Sequence, residues 1–428
     1  MKHKVAGDLG WVSRFSFGNP SILVIHGEVR YIHFFDRYAG NHPEMKLSQG
    51  HHLAYCTNVH RGNNWTETFS SLVNHVMQVR TNICPEDAFA IGLRLGADAT
   101  SELAQPVVLK NFKQWLDEQN AYVFTINGFP YGNFHGQPVK EDVYRPDWTE
   151  PERLSYTISL FEILSTLLPA FCEGSVSTLP ASFKEFYPDR LPESAYKHLL
   201  TCAEIIEMLS IEHQIDLHLG LEPEPLGWFE NTPETLIFFN ELFDRARDPE
   251  LVRRRIGVNY DCCHLAVEFE DARTGLNALQ DAGIRLSKLH ISSALKTTPC
   301  KENLEDLKHY VEEVYLHQVI AAKNGKVVHR CKDLDLALNQ TIDSDEWRIH
   351  YHVPLHSPPG NRLSNTSDHV NETLDWLAEY PQACKHLEME TYTWEVLPEN
   401  LRSLDVVEQV TNEYHWTLGA LQSRGLGK

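Results

Sequence analysis

The chain has 428 residues, a length that allows one large domain or two to three small ones. Hydrophobic residues make up 42% and charged residues 23%, which is the usage of an ordinary globular protein and excludes extended disorder or a fibrous repeat. With 59 acidic and 38 basic residues, the formal net charge of −21 disfavours nucleic acid as a partner, because binding a phosphate backbone needs clustered Lys and Arg.

The sequence contains no pattern typical of a targeting segment, a membrane span or a redox-active cysteine motif. The first residues contain no continuous apolar segment of the kind that marks a signal peptide, and no run of 18 apolar residues predicts a membrane span. The nine cysteines are scattered and form no C-x-x-C motif, which favours reduced thiols and a cytoplasmic protein. The 23 histidines raise the hypothesis of a metal site.

The chain divides into an N-terminal extension, residues 1–48, and a regular part, residues 49–428. The extension contains two short apolar runs, Ser21–Ile25 and Tyr31–Phe35, which we predict as strands. From residue 52 onward, short apolar runs alternate with amphipathic helical patterns. Eight of these runs predict strands: His52–Asn58, Phe89–Leu95, Tyr122–Asn127, Ser175–Leu179, Ile215–Glu222, Arg255–Asp261, Arg285–Ser292 and His386–Thr391.

Helix patterns separate these strands, and several have a recognisable N-terminal cap. Asn64 with Glu67 predicts the start of a helix over Asn64–Val79, and Thr149 with Glu152 predicts another. Thr232 followed by Pro233 predicts a cap with proline at the first helical position. Two further helices are predicted at Ser194–His213 and Thr366–Tyr380.

Eight strand–helix alternations predict a (β/α)8 TIM barrel over residues 49–428. An open doubly wound sheet is the alternative, but no G-x-G-x-x-G follows the first strand. An insertion at about residues 296–346, after strand seven, interrupts the pattern. It contains a predicted hairpin, Tyr315–Ala322 and Lys326–Lys332, joined by the turn-forming pair Asn324-Gly325.

Acidic residues end several of the predicted strands on the barrel's inner face. Strand residues alternate between the interior and the helix layer, which places Glu222, Asp261 and Glu390 inward at the carboxyl ends, where barrel enzymes hold their catalytic groups. His290 lies inward on strand seven. A divalent cation would relieve the repulsion among these carboxylates, and the donor set suits Mn²⁺, Mg²⁺, Co²⁺ or Zn²⁺. Pairing of each carboxylate with Lys or Arg is the alternative.

Further histidines and a polar loop are expected at the same mouth. His264 follows Asp261 in a D-x-x-H spacing, and His350 and His352 form an H-x-H pair, so that His352 is an alternative to His290 as the imidazole ligand. His356 comes shortly after. The loop from Asn127 to His135 carries glycines, aromatics and amides suited to a polyhydroxylated ligand, although an ordinary crossover turn fits it too.

The inward residues resemble a known family. Glu222-Pro, Asp261-x-x-His264, His290 and Glu390 resemble the metal ligands of the xylose-isomerase-like TIM barrels, the sugar and sugar-phosphate isomerases and epimerases. Longer stretches, among them Tyr122–Gly136 and His386–Trp394, are similar to the metabolite-traffic protein EboE family, a branch of that superfamily. The resemblance implies one divalent metal held by Glu222, Asp261, His290 and Glu390. It leaves Glu224 and Glu230 as candidates for a second catalytic carboxylate.

The leading hypothesis is a metal-dependent isomerase or epimerase that acts on a sugar-like or other hydroxy-carbonyl metabolite, with a role in processing or traffic of secondary-metabolite precursors. Glu230, His264 or His352 would act as base, and Asn127, His135 and His356 would bind substrate. A metallohydrolase and a non-catalytic metabolite-binding scaffold are the alternatives, whereas cleavage of damaged DNA conflicts with the net charge of −21. The oligomeric state is left open, a homo-oligomer included.

Overall fold

A computed structural model describes residues 23–25, 28–30, 47–136, 138–356, 362–398, 402 and 404–427. The chain falls into two compact units, Met1–Pro43 and Glu44–Lys428. In the first unit, strands β1 (Leu23–Ile25) and β2 (Glu28–Arg30) pair antiparallel. The predicted strand Ser21–Ile25 is described only in its second half, and Tyr31–Phe35 lies outside the described residues. The proposed boundary at residue 48 stays a prediction.

The second unit is built on a barrel of parallel strands, which confirms the predicted (β/α)8 fold. Within the described part of the chain its strands number eight, and each corresponds to one of the predicted runs: β3 (His52–Tyr55), β4 (Phe89–Arg94), β5 (Ala121–Asn127), β6 (Gly174–Thr178), β7 (Leu217–Leu221), β8 (Ile256–Asp261), β9 (Arg285–Ile291) and β15 (His386–Met389). Their order in the sheet is β3-β15-β9-β8-β7-β6-β5-β4. A parallel bridge between Cys56 and Gly92 joins the two ends of the sheet.

Helices follow the strands along the chain. The first is interrupted by a π-helical segment, Leu72–Val76, between α1 (Trp65–Ser71) and α2 (Met77–Ile83). The others are α3 (Ala97–Leu103), α4 (Pro106–Glu118), α5 (Pro151–Leu167), α6 (Glu193–His213), α7 (Thr232–Arg245), α8 (Pro249–Arg255), α9 (Cys262–Val267), α10 (Ala272–Asp281), α11 (Lys301–Leu307), α12 (Leu334–Leu338), α13 (Ser367–Glu379) and α14 (Val406–Gln422). Among the described helices, none combines the length and the apolar character needed to cross a membrane.

The N-cap residues of three helices can be compared with those predicted from the sequence. Asn64 caps α1 as predicted, because its side chain accepts a hydrogen bond from the main-chain nitrogen of Glu67. The cap of α7 is Asn231, one residue earlier than the predicted Thr232. The predicted cap Thr149 is wrong, because α5 begins at Pro151 and the hydroxyl of Thr149 donates to Asp147 instead.

The alternation along each barrel strand separates an apolar outer face from a polar interior. On β7, Leu217, Leu219 and Leu221 are fully buried in the main hydrophobic core, as predicted. On β8, Tyr260 points the same way, and its hydroxyl contacts the ring of His369 on α13 at 2.9 Å. The intervening positions face the barrel axis, so that an unusually polar set of side chains fills the interior.

The insertion after strand seven forms a five-stranded antiparallel sheet. Its order within the described residues is β12-β11-β13-β10-β14, with β10 (Ala294–Thr297), β11 (Val319–Lys323), β12 (Lys326–Cys331), β13 (Glu346–His352) and β14 (Ser364–Asn365). The predicted hairpin is confirmed, since β11 and β12 pair around Asn324 and Gly325, both with positive φ. The range 296–346 contains only part of this sheet, because β13 continues to His352 and brings two histidines to the barrel mouth.

Candidate active site at the barrel mouth

Four predicted metal ligands converge at the carboxyl ends of the strands. Glu222 follows β7, Asp261 ends β8, His290 lies on β9 and Glu390 follows β15. One ligand atom from each lies within 4.8 Å of the others, and all four side chains are buried. The Nδ1 atom of His290 is 2.9 Å from Glu390 Oε2, 3.2 Å from Asp261 Oδ2 and 3.3 Å from Glu222 Oε1. We call these four residues the upper cluster.

The upper cluster has a strongly negative potential. Among the described residues, no Lys or Arg forms an ion pair with Glu222, Asp261 or Glu390, so the pairing alternative raised by the sequence does not hold there. Burial alone would lower the pKa of His290, but Glu390 and Glu222 raise that pKa well above its ordinary value. A site that draws a proton onto a fully buried imidazole favours a cation.

The donor set fits a divalent cation. Three carboxylates and one imidazole match Mn²⁺, Mg²⁺, Co²⁺ or Zn²⁺. His290 is oriented as a ligand, because its Nε2 atom contacts Glu388 Oε2 at 2.9 Å and leaves Nδ1 facing the carboxylates. A carboxylate behind a histidine is the usual way in which proteins fix a metal-binding imidazole.

Neutral donors hold the outer oxygens of the three carboxylates without neutralising them. These contacts are Asn259 Nδ2 to Glu222 Oε2 at 2.8 Å, Asn58 Nδ2 to Glu390 Oε1 at 2.7 Å, and Ser292 Oγ to Asp261 Oδ1 at 2.7 Å. Each carboxylate therefore has one oxygen fixed by a hydrogen bond from an uncharged group.

Three further imidazoles surround the upper cluster, as the H-x-H and D-x-x-H motifs predicted. The ring of His264, in the first turn of α9, lies 4.5 Å from the ring of His350 and 5.7 Å from that of His352. Burial lowers the pKa of His264, and burial together with the neighbouring His264 and His352 lowers the pKa of His350 well below its ordinary value. His290 rather than His352 completes the four-residue group, whereas His352 groups with Asp261 and His264.

A cavity of about 60 Å³ opens above the upper cluster. Asn127, Glu224, His264 and His350 line it together with Glu222 and Glu390. Five aromatic side chains form a large part of the remaining wall: Phe129, Phe134, Tyr144, Tyr315 and Tyr392. The cavity thus combines a few convergent polar groups with an aromatic wall, which is the usual composition of a small-molecule site.

Four of the predicted catalytic and substrate-binding residues do not line the cavity: Glu230, His135, His352 and His356. Glu230 does not line the cavity, because it forms ion pairs with Lys184 and with Arg330, whose Nη1 lies 3.0 Å away. Of the two candidates for a second catalytic carboxylate, Glu224 is the one that lines the cavity. Neither His135 nor His356 is part of the cavity wall.

His135 has a supporting position. Its Nε2 contacts the main-chain oxygen of Asn58 at 2.7 Å, and its Nδ1 contacts the hydroxyl of Tyr315 at 2.7 Å. With both nitrogens engaged, His135 positions a wall residue rather than a ligand. His356 is half-buried, and burial lowers its pKa, but the structure does not bring it to the upper cluster.

Several site residues were not selected from the sequence. Asn58 lies in a short helical turn after β3, and Tyr315 comes from the insertion, so neither follows from strand periodicity. Strand alternation places Asn259 and Glu388 inward, but their role behind Glu222 and His290 depends on contacts between different strands. Inward polar residues two positions before a strand-ending ligand are the pattern that could have identified them.

Comparison with known proteins gives distant structural likenesses. No protein-family model matches the chain, and no curated protein matches it. Among solved structures, a zinc-bound IOLI protein is similar at 10% identity and TM-score 0.46, over 87% of this chain and 98% of that one. A xylose isomerase domain protein from Planctomyces limnophilus is similar at 11% identity and TM-score 0.44, over 78% of this chain and 89% of that one.

A third likeness is to the D-psicose 3-epimerase of Clostridium cellulolyticum with D-tagatose, at 9% identity and TM-score 0.44, over 87% of this chain and 97% of that one. At such identities the function has to be inferred from the geometry of the site.

Proposed function

We propose that the protein is a divalent-metal-dependent isomerase or epimerase that acts on a sugar-like hydroxy-carbonyl metabolite. The observation that carries this proposal is the upper cluster itself, in which four strand-end ligand atoms lie within 4.8 Å of one another. Glu222, Asp261, His290 and Glu390 would hold the cation. When bound, it would supply Lewis-acid polarisation of the oxygens on adjacent substrate carbons.

Two imidazoles have the protonation pattern of a base. The Nδ1 atom of His352 is 2.8 Å from the main-chain oxygen of Glu390, and the Nδ1 atom of His264 is 3.0 Å from that of Pro223. A carbonyl oxygen only accepts, so the hydrogen of each ring must reside on Nδ1. Nε2 of each ring then carries the lone pair, and Nε2 of His352 has no hydrogen-bond partner among the described residues.

This pattern supports proton transfer at carbon. Nε2 of His264, which lines the cavity next to His352, can take the proton from a carbon next to the carbonyl group and return it to the same or the neighbouring carbon. Glu224 faces the cavity as an additional proton carrier, in the place expected for Glu230.

The remaining polar groups fit hydroxyl recognition. The Oδ1 atom of Asn58 is buried without a hydrogen-bond partner in the described ranges, and can accept from a substrate hydroxyl. Asn127 donates one N–H to Glu390 Oε1 at 3.1 Å and keeps a second one for substrate. Tyr144 and Tyr392 would cover the apolar face of a sugar-like ligand.

A role in processing or traffic of secondary-metabolite precursors is part of this proposal, together with a cytoplasmic location. Its support is the similarity of Tyr122–Gly136 and His386–Trp394 to the EboE family, together with the reduced-thiol pattern. The substrate expected from the site is small and polyhydroxylated, in keeping with such precursors.

The test is exchange of carbon-bound hydrogen in deuterated water. The metal-loaded protein should exchange a substrate proton from at least one member of a panel of ketoses, aldoses and their phosphates, followed by NMR. The double variant Glu222→Gln/Asp261→Asn should lose exchange together with the metal of the upper cluster, and His264→Gln should lose about 100-fold or more in exchange while keeping that metal.

The matched control is Glu270→Gln, which alters a largely buried carboxylate bonded to Thr232, away from the cavity. It should leave exchange unchanged. Full metal loading of the wild type with no exchange from any substrate of the panel would contradict the proposal.

A second candidate function is hydrolysis at a two-metal centre. One observation favours it: Asp261 belongs both to the upper cluster and to an adjacent group with His264 and His352. Two cations about 3.5–4 Å apart at the mouth, together with hydrolysis of ester or phosphate substrates, would support this alternative. A single cation at the mouth supports the isomerase.

A further inference from the structure

A second group of metal-binding residue types lies inside the barrel near the amino ends of the strands. Glu173 immediately precedes β6, His218 lies on β7 and His386 begins β15. One ligand atom from each lies within 4.8 Å of the other two. We call these three residues the lower cluster.

The lower cluster is separate from the upper cluster. His218 precedes Glu222 by four residues on β7, and His386 precedes Glu390 by four residues on β15. At a strand rise of about 3.3 Å per residue, the two clusters lie roughly 13 Å apart along the strands. They therefore bind independently, and a ligand of one is not a ligand of the other.

His218 is the observation that points to a ligand. Its side chain is fully buried, and neither Nδ1 nor Nε2 has a hydrogen-bond partner among the described residues. Proteins rarely leave buried polar atoms unpaired, because each unpaired donor or acceptor costs about 1–3 kcal/mol. An imidazole with both nitrogens unpaired, facing another imidazole and a carboxylate, has the surroundings of a metal ligand.

His386 presents its second nitrogen to the same place. Its Nδ1 lies 2.8 Å from Ser175 Oγ, and the Ser175 hydroxyl donates to Thr125 Oγ1 at 2.8 Å. Ser175 therefore accepts from His386, which leaves the lone pair of His386 on Nε2. That nitrogen is buried without a hydrogen-bond partner in the described part of the chain.

The charges around the lower cluster allow a cation. Of the described residues, Arg285 is the cation that contacts the lower cluster, through an ion pair with Glu173. Arg285 is itself compensated, because its Nη2 lies 2.7 Å from Asp216 Oδ2 and 3.0 Å from Glu173 Oε2. Oε1 of Glu173 is the oxygen left for a cation.

We propose that Glu173, His218 and His386 form a second, structural cation site of the zinc class. Two imidazoles and one carboxylate are a frequent protein donor set for Zn²⁺, with a fourth position left for water. A cation there would join β15 to β7 and to the start of β6, strands that are not all neighbours in the sheet. Its role is to stabilise the barrel at the amino ends of the strands, and it takes no part in the reaction at the mouth.

Metal stoichiometry in full-length protein tests this site. The protein is stripped with a chelator, reloaded with Co²⁺ and measured by elemental analysis and visible absorption. The double variant Glu222→Gln/Asp261→Asn, which lacks the upper site, should retain one Co²⁺ per chain with the intense absorption of a tetrahedral ion. Adding His218→Gln to that background should remove this ion and its absorption.

The matched control adds His369→Gln to the same background. His369 is another buried imidazole, bonded to Tyr260 and outside both clusters, so this variant should keep its Co²⁺. If His218→Gln fails to fold, His386→Gln replaces it, and Zn²⁺ should raise the melting temperature of the parent double variant.

The outcomes separate the two sites. A parent double variant that binds no Co²⁺, or a His218→Gln variant that binds as much as its parent, would overturn the lower site. Failure of the proposed function appears elsewhere, as full metal loading without substrate exchange in the wild type. The lower site is unaffected by that result.

Discussion

The two clusters inside the barrel are built from the same strands and differ in chemistry. On β7 and on β15, a histidine at the base is followed four residues later by a glutamate at the mouth. The upper cluster combines three carboxylates with one imidazole, whereas the lower cluster combines two imidazoles with one carboxylate. Oxygen donors suit a cation that must exchange ligands with a substrate, and nitrogen donors suit a tightly held ion. One barrel thus provides two different electrostatic environments.

A buried ion pair separates the two clusters. Lys288 Nζ lies 2.5 Å from Glu388 Oε2, and both side chains are fully buried. The same carboxylate oxygen orients His290 of the upper cluster. Gly92 leaves room for it, because a Cβ atom at residue 92 would overlap Glu388 Oε1. This layer positions the upper cluster and places a positive charge between the two.

The largest effect on stability is expected when the ion pair between Lys288 and Glu388 is broken. Glu388→Gln leaves Lys288 charged and unpaired in the interior, which should lower the free energy of unfolding by about 3–5 kcal/mol. The upper cluster should also bind its metal more weakly, because His290 loses its orienting partner. Urea unfolding and metal titration measure the two effects.

The double variant Glu388→Gln/Lys288→Met is the control for this prediction. It removes the unpaired charge and should recover most of the lost stability, while the weakened metal binding remains. Equal stability of Glu388→Gln and the wild type would show that the ion pair does not hold the layer together.

Metal removal should distinguish the clusters by stability. A ligand present at 100 times its dissociation constant stabilises the folded state by about 2.7 kcal/mol. Wild-type protein should lose about that amount for each site emptied by a chelator. The two sites should empty at different chelator exposures, because three carboxylates with one imidazole and two imidazoles with one carboxylate bind a cation with different affinity. Thermal melts at increasing chelator exposure should therefore fall in two steps, and a single step would contradict two independent sites.

Substitution of a residue that supports one cluster should weaken metal binding at that cluster and leave the other unchanged. Asn259→Ala removes the N–H that holds Glu222 Oε2, and should weaken metal binding at the mouth by about 10- to 100-fold. Ser175→Ala removes the partner of His386 Nδ1 and should weaken only the lower site. Co²⁺ titrations measure the affinity of both sites in each variant. Loss at both sites from either substitution would mean that the clusters are coupled.

The sequence predicts the barrel and the upper cluster because both follow from short-range patterns. Period-two alternation places Glu222, Asp261 and Glu390 inward, and parallel strands bring their ends to one rim. The position of Glu230 outside the cavity wall could not be foreseen, because its partners, Lys184 and Arg330, lie 46 and 100 residues away in the chain. No local sequence pattern predicts ion pairs between residues so far apart in the chain.

The cavity wall and the lower cluster were beyond sequence reasoning for a related reason. Tyr315 reaches the cavity because the insertion folds over the mouth, and a sheet formed within an insertion does not reveal where it will dock. Strand alternation also places His218 inward, but an inward histidine becomes a candidate ligand only when its neighbours leave it unpaired. That condition depends on side chains from other strands.

The smallest effect concerns an imidazole outside both clusters. Burial and the nearby Arg348 lower the pKa of His369 to about 4 from its ordinary 6.5, the opposite of the shift at His290. The folded state therefore resists protonation, the unfolded state binds more protons between these values, and stability falls as the pH falls through that window. Between pH 7.5 and 5.5 this one group should cost about 1.3 kcal/mol. His369→Gln should remove that part of the pH dependence in urea unfolding with chelator present, and His415→Gln, at an exposed position, is the comparison variant. An unchanged slope for His369→Gln would show that this imidazole is not held neutral by its burial.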